Sequence, residues 1–384
     1  MKIGIVGYPT YGGSGVVATE LGMYLARQGH KVHFISYSQP VRLDVMEPNI
    51  YYHEVNVQDY PLFEYQPYEL ALSSKMVNVA LKYKLEVIHV HYAIPHAYAA
   101  YMAKQILKDK GFDLPIVTTL HGTDITLVGR NPSYKQAVNF SINHSDVVSS
   151  VSESLKQDTL AFFSIRKEID VIPNFVDLAL YKPDDSCKHN FAQEGERIIT
   201  HVSNFRKVKR ISDVVEVFFR LQQKIPSVLL MLGDGPEKER ARKQAQDLGI
   251  SDRVKFLGKT SEVERILCIS DLFLLPSEKE SFGLAALEAM GAGVPVISSN
   301  TGGLGEVNIH GTTGFTADVG DVEAMSKGAV HILEDSDRHL QFAKAARIQA
   351  EQFAIDKIIP GYLALYEKAI KQNNAWINYS AKGS

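Results

Sequence analysis

The sequence predicts an α/β protein made of two doubly wound parallel sheets. Three observations carry that expectation. Short apolar runs alternate with helix-period segments almost from end to end, the rhythm of parallel strands covered on both faces. The rhythm restarts after residue 173. The 384 residues also exceed the roughly 150 of one typical domain.

The apolar run at 2–7 reads as a first strand, because Pro9 and the glycines around it cut it too short for a signal peptide. Residues 15–28 put Val17, Leu21, Tyr24 and Leu25 on one helical face, and Gly29 ends that helix. Strands follow at 31–36, 86–91, 115–120 and 146–151. Pro173-Asn174-Phe175-Val176-Asp177 and Lys182-Pro183-Asp184-Asp185 read as a linker. Beyond it lie strands at 197–203, 227–232, 253–257, 271–275 and 294–298, with helices at 211–224 and 236–248. The expected domains are 1–172 and 173–355. An amphipathic helix at about 356–380, carrying Ile358, Ile359, Tyr362, Leu363 and Tyr366, is expected to pack back on the first.

Composition narrows the function classes. A hydrophobic share of 45% is enough to build cores, which excludes a mainly disordered chain. The formal net charge is -3 with no basic block, so no nucleic-acid partner is expected. No apolar run approaches the ~18 residues that span a bilayer, so stable membrane insertion is not expected either. Cys187 and Cys268 stand 81 residues apart and form no CxxC pair, which argues against a disulfide framework and for the reducing cytoplasm.

Chemistry is expected at the strand-end loops, in ligand clefts at the carboxyl ends of the strands. Gly7-Tyr8-Pro9-Thr10-Tyr11-Gly12-Gly13-Ser14-Gly15 joins the first strand to its helix. It lacks the Walker A lysine and the GxGxxG spacing; it is a packing turn or, preferably, an anion or sugar contact. His89 and His91 alternate onto one side of a strand, with Tyr92 and His96 close by. A zinc site would need a further ligand and a second shell, so polar lining of the strand end is the preferred reading and no metal is expected. Thr118-Thr119-Leu120-His121-Gly122-Thr123-Asp124 can bond a polyol or carboxylate, with Asp124 alternatively capping a helix. No GxSxG elbow supports a serine hydrolase.

In the second half, Ser203-Asn204-Phe205-Arg206-Lys207-Val208-Lys209-Arg210 follows a strand. Its cations suit a diphosphate better than a solvated face, because the run sits where a ligand should lie. Pro276 to Met290 runs from a loop into a helix that begins near Gly283, whose amino terminus can hold a phosphate. Glu280 lies on the loop and Glu288 on the helix, so the two carboxylates should serve different roles.

Taken together, Glu280 and Glu288 around Ser281-Phe282-Gly283, the Gly12-Gly13 loop, His121, and Arg206 with Lys209 resemble the retaining glycosyltransferases of family 4. Pro173 to Asp177, Gly233-Asp234-Gly235-Pro236-Glu237, Gly302-Gly303 and Gly311-Thr312-Thr313-Gly314-Phe315 support the resemblance, which covers essentially the whole chain. It implies the GT-B fold, two Rossmann-like domains facing a central cleft. Within the family, the stretches 7–15, 89–96 and 118–124 are similar to the bacillithiol-pathway branch. That implies transfer of N-acetylglucosamine from UDP-GlcNAc to L-malate with retention, giving the α-glycoside. Inositol phosphate or a lipid-linked sugar is the alternative acceptor. A GT-B UDP-GlcNAc 2-epimerase is the alternative from another class.

The resemblance also implies roles. Glu288 should take the ribose hydroxyls and Glu280 those of the donor sugar. The backbone at Ser281, Phe282, Gly283 and Leu284 should approach sugar and diphosphate, with Gly13, Asn204 and Arg210 also on the donor. Arg206 and Lys209 should neutralise the departing diphosphate, and His121 should bond the sugar near its 6-hydroxyl. His121, Arg206, Lys209 and Glu280 are thus the catalytic candidates. Ser14, Tyr92, Thr118, Thr119, Thr123 and Arg206 are the acceptor candidates. No metal or other cofactor is implied, and a homodimer is the common assembly of relatives. Two departures stand out: Gly305 where the family usually has proline, and a short Arg206-to-Lys209 spacing.

Overall fold

The computed structural model describes the backbone of residues 1–10, 12–58, 61, 63–184, 186–187, 190–260 and 262–380, and side chains through 373. Tyr11 of the glycine loop and Asp185 of the linker lie outside the described residues. The chain forms two compact units: Met1–Pro173 together with the chain from Ile359 onward, and Asn174–Ile358.

The first unit holds a seven-stranded sheet of β1 (Lys2–Val6), β2 (Lys31–Ser36), β3 (Ile50–Glu54), β4 (Val87–His91), β5 (Ile116–Leu120), β6 (Val147–Ser150) and β7 (Ile169–Val171). Its order is β3-β2-β1-β4-β5-β6-β7, and every adjacent pair is parallel. The helices are α1 (Ser14–Arg27), α2 (Tyr68–Tyr83), α3 (Tyr98–Lys108), α4 (Pro132–His144) and α5 (Glu153–Phe162). Parallel strands covered on both faces bury every side chain, and all five residues of β4 are buried. The expected face of α1 is the one that packs inward, with Val17, Leu21 and Leu25 at most 1% exposed.

The second unit holds β8 (Arg197–Val202), β9 (Ser227–Leu232), β10 (Val254–Gly258), β11 (Leu272–Leu275), β12 (Val296–Ser299) and β13 (Gly314–Ala317), ordered β10-β9-β8-β11-β12-β13 and again parallel. Its helices are α6 (Ile211–Gln222), α7 (Lys238–Asp247), α8 (Val263–Cys268), α9 (Leu284–Gly291), α10 (Leu304–Val307), α11 (Val322–Leu333) and α12 (Ser336–Ala350). A last helix, α13 (Ile355–Ser380), begins in this unit and buries Tyr362, Tyr366 and Ala369 in the first.

Strand order reverses at β1 in the first sheet and at β8 in the second. The loops that leave β1 and β4, and those that leave β8 and β11, therefore part to opposite faces and open a crevice in each unit. Asn131, Ser152, Asp321 and Asp335 each cap a helix with a side chain. α1 and α9, like α2, α3, α6, α7, α8 and α10, have no side-chain cap, and they start from Gly13 (φ 60) and Gly283 (φ 99). Their first N–H groups are left for something else to satisfy.

Two expectations need correcting. β3, β7 and β13 carry no clear apolar run: β3 is an edge strand with partly exposed tyrosines, and β7 has three residues. Cys187 and Cys268, expected to stay unpaired, form a disulfide, because the linker segment holding Cys187 is laid against the end of α8. Separation along the chain says nothing of that proximity.

The fold rests on such buried apolar faces. Leu21→Ala in α1 is expected to cost about 2–5 kcal/mol of stability, read as a lowered urea midpoint with an unchanged slope.

Candidate active site

In the second unit the crevice is built by two loops. The first leaves β8. His201, fully buried, directs Nδ1 to the Leu274 carbonyl at 2.8 Å, so Nδ1 carries the proton. Burial pushes this ring down to about 4, so it is neutral and Nε2 accepts from the Ser203 hydroxyl at 2.7 Å. Ser203 Oγ in turn accepts from the Phe205 amide at 3.3 Å. Phe205 turns inward at φ 40 into the core, leaving Asn204 and Arg206 exposed on either side. The Glu237 amide, from the Gly233–Pro236 turn, ties down the Phe205 carbonyl at 2.9 Å.

The second loop leaves β11. Its Glu278 amide donates to the Val208 carbonyl at 2.8 Å, joining it to the first. Lys209 Nζ forms an ion pair with Glu280 Oε1, which also accepts from Ser277 Oγ at 2.9 Å. Arg210 turns the other way, and its Nε pairs with Asp213 Oδ2 of α6 at 2.6 Å. Of the two cations, Lys209 is therefore the one facing the carboxylate loop, and Arg210 does not join it. Arg206 makes no ion pair among the described residues. Gly302 lies beneath the loop at φ 56, where a Cβ would stand 1.9 Å from the Glu280 carbonyl oxygen, so no other residue fits without displacing Glu280. Phe282 is buried against Phe353, and Gly283 opens α9, whose uncapped N–H groups face the same end as Ser281 and Leu284. Glu288, one turn into α9, accepts from the Tyr181 hydroxyl at 2.8 Å.

In the first unit the crevice is lined by hydroxyls, imidazoles and one buried carboxyl group, that of Asp124. Ser14, at the start of α1, donates to the Tyr92 hydroxyl at 2.6 Å, and Tyr92 leaves β4 at φ 87. Burial pushes that phenol up to about 12. His121 Nε2 lies 2.8 Å from His91 Nδ1, with the rings stacked 5.0 Å apart. His96 Nδ1 donates to the His91 carbonyl at 2.5 Å. Asp124 accepts from the Ala93 amide at 2.8 Å and the Gly122 amide at 3.0 Å, tying the two strand-end loops together rather than capping a helix. Among the described residues no group of three or more His, Cys, Asp or Glu is placed to share a metal ion.

Thr118 and Thr119 require a correction as acceptor contacts. Both are fully buried inside β5. Thr118 pairs with Ser145 at 2.7 Å; Thr119 pairs with His89 and Ser149, each at 2.7 Å. Their hydroxyls are bonded to side chains of β4, β6 and the end of α4. The structure instead gathers Ser14, Tyr92, His121 and Thr123 at the first strand end, and Arg206, Lys209, Glu280 and Ser281 to Glu288 at the second. Sequence reasoning missed His91, His201 and Tyr181 as supports. The alternation of His89 and His91 hinted at the first; nothing local marked the others.

Family models match both halves of the chain: glycosyltransferase family 4 over residues 11–180 and glycosyl transferases group 1 over residues 184–349. The chain is 46% identical over 377 residues to N-acetyl-alpha-D-glucosaminyl L-malate synthase of Bacillus anthracis, covering 97% of this chain and 98% of that one. Among solved structures, a glycosyltransferase from Rickettsia africae superposes with a TM-score of 0.79 at 21% identity, over 96% of this chain and 98% of its own. Anabaena HepE, solved with UDP-glucose, gives 0.78 at 22% identity, over 95% and 99%. At those identities the two structures speak for the fold.

The histidines make stability pH-dependent. Burial pushes His89 to about 3 and His96 to about 4, like His201, and holds His91 and His121 below their ordinary value. The unfolded chain, with histidines near ~6.5, takes up protons first as pH falls. The stability is thus complete above about pH 6.5 and is lost toward pH 4. Asp124, pushed up to about 6 by burial, works in the opposite sense, losing stability as pH rises from about 4 to 6. Five rings outweigh one carboxyl. The urea midpoint is expected to fall between pH 7 and pH 5, while 15N NMR finds His89, His96 and His201 still neutral at pH 5.

Proposed function

This chain belongs to glycosyltransferase family 4, and from that premise we propose that it transfers N-acetylglucosamine from UDP-GlcNAc to L-malate with retention, giving the α-glycoside that begins bacillithiol synthesis. The observation that carries the acceptor assignment is the near full-length identity to a protein named for that product. The donor half rests on the Lys209–Glu280 loops and the uncapped amino terminus of α9.

In this reading Glu288 binds the ribose diol, since a carboxylate can accept both hydroxyls. Lys209 exchanges Glu280 for the diphosphate when the donor arrives, and Glu280 turns to the sugar hydroxyls. Arg206 and Lys209, with the first amides of α9, stabilise the charge that grows on UDP as the glycosidic bond breaks. That work is what a divalent cation does in other enzymes, and no metal requirement is proposed. The neutral His121 bonds the sugar near its 6-hydroxyl. Ser14, Tyr92 and Thr123, with the uncapped start of α1, receive the malate. The departing phosphate takes the proton of the malate hydroxyl on the face where the new bond forms, so the anomeric configuration is kept. In this reading the protein works in the cytoplasm, with a homodimer as its proposed assembly. There the Cys187–Cys268 pair would be held largely as thiols.

UDP release from UDP-GlcNAc should depend on L-malate, give an α-linked product and persist in EDTA. Release with inositol 1-phosphate but not malate would overturn the acceptor, and a trapped glycosyl-enzyme would overturn the mechanism. Lys209→Ala is expected to lower kcat by about 10²–10³, the size of a lost transition-state contact, with a smaller change in donor KM.

A further inference from the structure

Tyr181 sits in the linker before Lys182-Pro183, with 1% of its surface exposed. Its hydroxyl reaches across to α9 and donates to Glu288 Oε1 at 2.8 Å. Three constraints hold that hydroxyl in place. The Tyr181 amide donates to the Asp177 carbonyl at 2.9 Å, folding the linker back on itself. Arg347 of α12 donates through Nη1 to the Tyr181 carbonyl at 2.7 Å and, through the same nitrogen, to the Gly291 carbonyl at the end of α9. One guanidinium thus ties the segment carrying Tyr181 to the helix carrying Glu288. Gly291 then allows the approach, since a Cβ there would stand 3.2 Å from Tyr181 Cβ and 3.3 Å from Val176 Cγ2.

A fixed linker, a fixed helix and a buried ring leave the phenol little freedom. A glutamate on a helix face is otherwise a flexible group that must be ordered when it meets a ligand. A hydrogen bond to a charged acceptor is among the stronger ones. A carboxylate has about four acceptor sites, so one bond from Tyr181 restrains the group without exhausting it. We propose that Tyr181 is a positioning residue for the nucleoside half of the donor. It holds the Glu288 carboxylate in the orientation that receives the ribose diol, and so sets nucleotide affinity without touching the nucleotide. The inference rests on the reading of Glu288 as the ribose-binding group.

Tyr181→Phe keeps the ring and removes only the hydroxyl. The test is calorimetric titration of the full chain with UDP and with 2′,3′-dideoxy-UDP, which lacks both groups that Glu288 would bind. For Tyr181→Phe, the Kd for UDP is expected to rise about five- to tenfold, while that for the dideoxy nucleotide changes less than about twofold. Donor KM should rise in step with the UDP Kd, with kcat little changed. Equal weakening of both nucleotides, or no weakening of either, assigns Tyr181 to packing and overturns the inference. Glu288→Ala is titrated alongside. If it fails to weaken UDP more than the dideoxy nucleotide, the ribose reading of Glu288 falls and the inference with it. If it discriminates and Tyr181→Phe does not, the inference alone falls.

Discussion

One ion pair organises the second unit. Lys209 and Glu280 are 71 positions apart, yet they meet because β8 and β11 are neighbours at the point where strand order reverses. Topology brings the loops together; the pair and the Glu278–Val208 backbone bond fix their register. Everything around them protects that register: the inward turn of Phe205, the neutral His201 beneath Ser203, and Gly302 under the Glu280 carbonyl. With exposures of 21% and 13%, the two charges are shielded enough to hold each other and close enough to water to let go. That balance suits a pair that has to be exchanged for a phosphate and a sugar.

The two crevices solve anion binding differently. In the second, cations on a loop fixed to its neighbour stand beside an uncapped helix. In the first, cations are absent from the centre among the described residues, and an uncapped helix start stands with hydroxyls and neutral imidazoles. Neutrality there is a product of burial: four rings crowded against sheet and helix cannot hold charge. A group whose tautomer is fixed by its neighbours can donate or accept in one direction only, which suits the recognition of sugar hydroxyls.

The strand pattern was legible because a doubly covered parallel sheet must be written as apolar runs, as in Val-Ile-His-Val-His of β4 and Ser-Val-Leu-Leu-Met-Leu of β9. From strands in that rhythm the strand-end loops follow, and so do the places where candidate residues gather. What the pattern conceals is distance. Thr118 and Thr119 resemble strand-end residues in sequence but are fully buried inside β5, their hydroxyls bonded to neighbouring side chains. Tyr181 is 107 positions from Glu288, and Cys187 is 81 from Cys268; neither partnership leaves a local mark. The short edge strands β3 and β7 bury too little to announce themselves.

The bond between His89 and Tyr366 spans 277 positions and joins the fourth strand of the first sheet to the last helix. A ribosome delivers His89 long before Tyr366. Until the chain has been made that far, the first unit is left with an open niche, and the buried His89 ring keeps its bond to Thr119 without its bond to Tyr366. Its final closure waits for the last helix to be made. A tag or fusion at the amino terminus would leave that step untouched. A chain halted before residue 366 would carry every candidate catalytic side chain and still lack the plug that seats them.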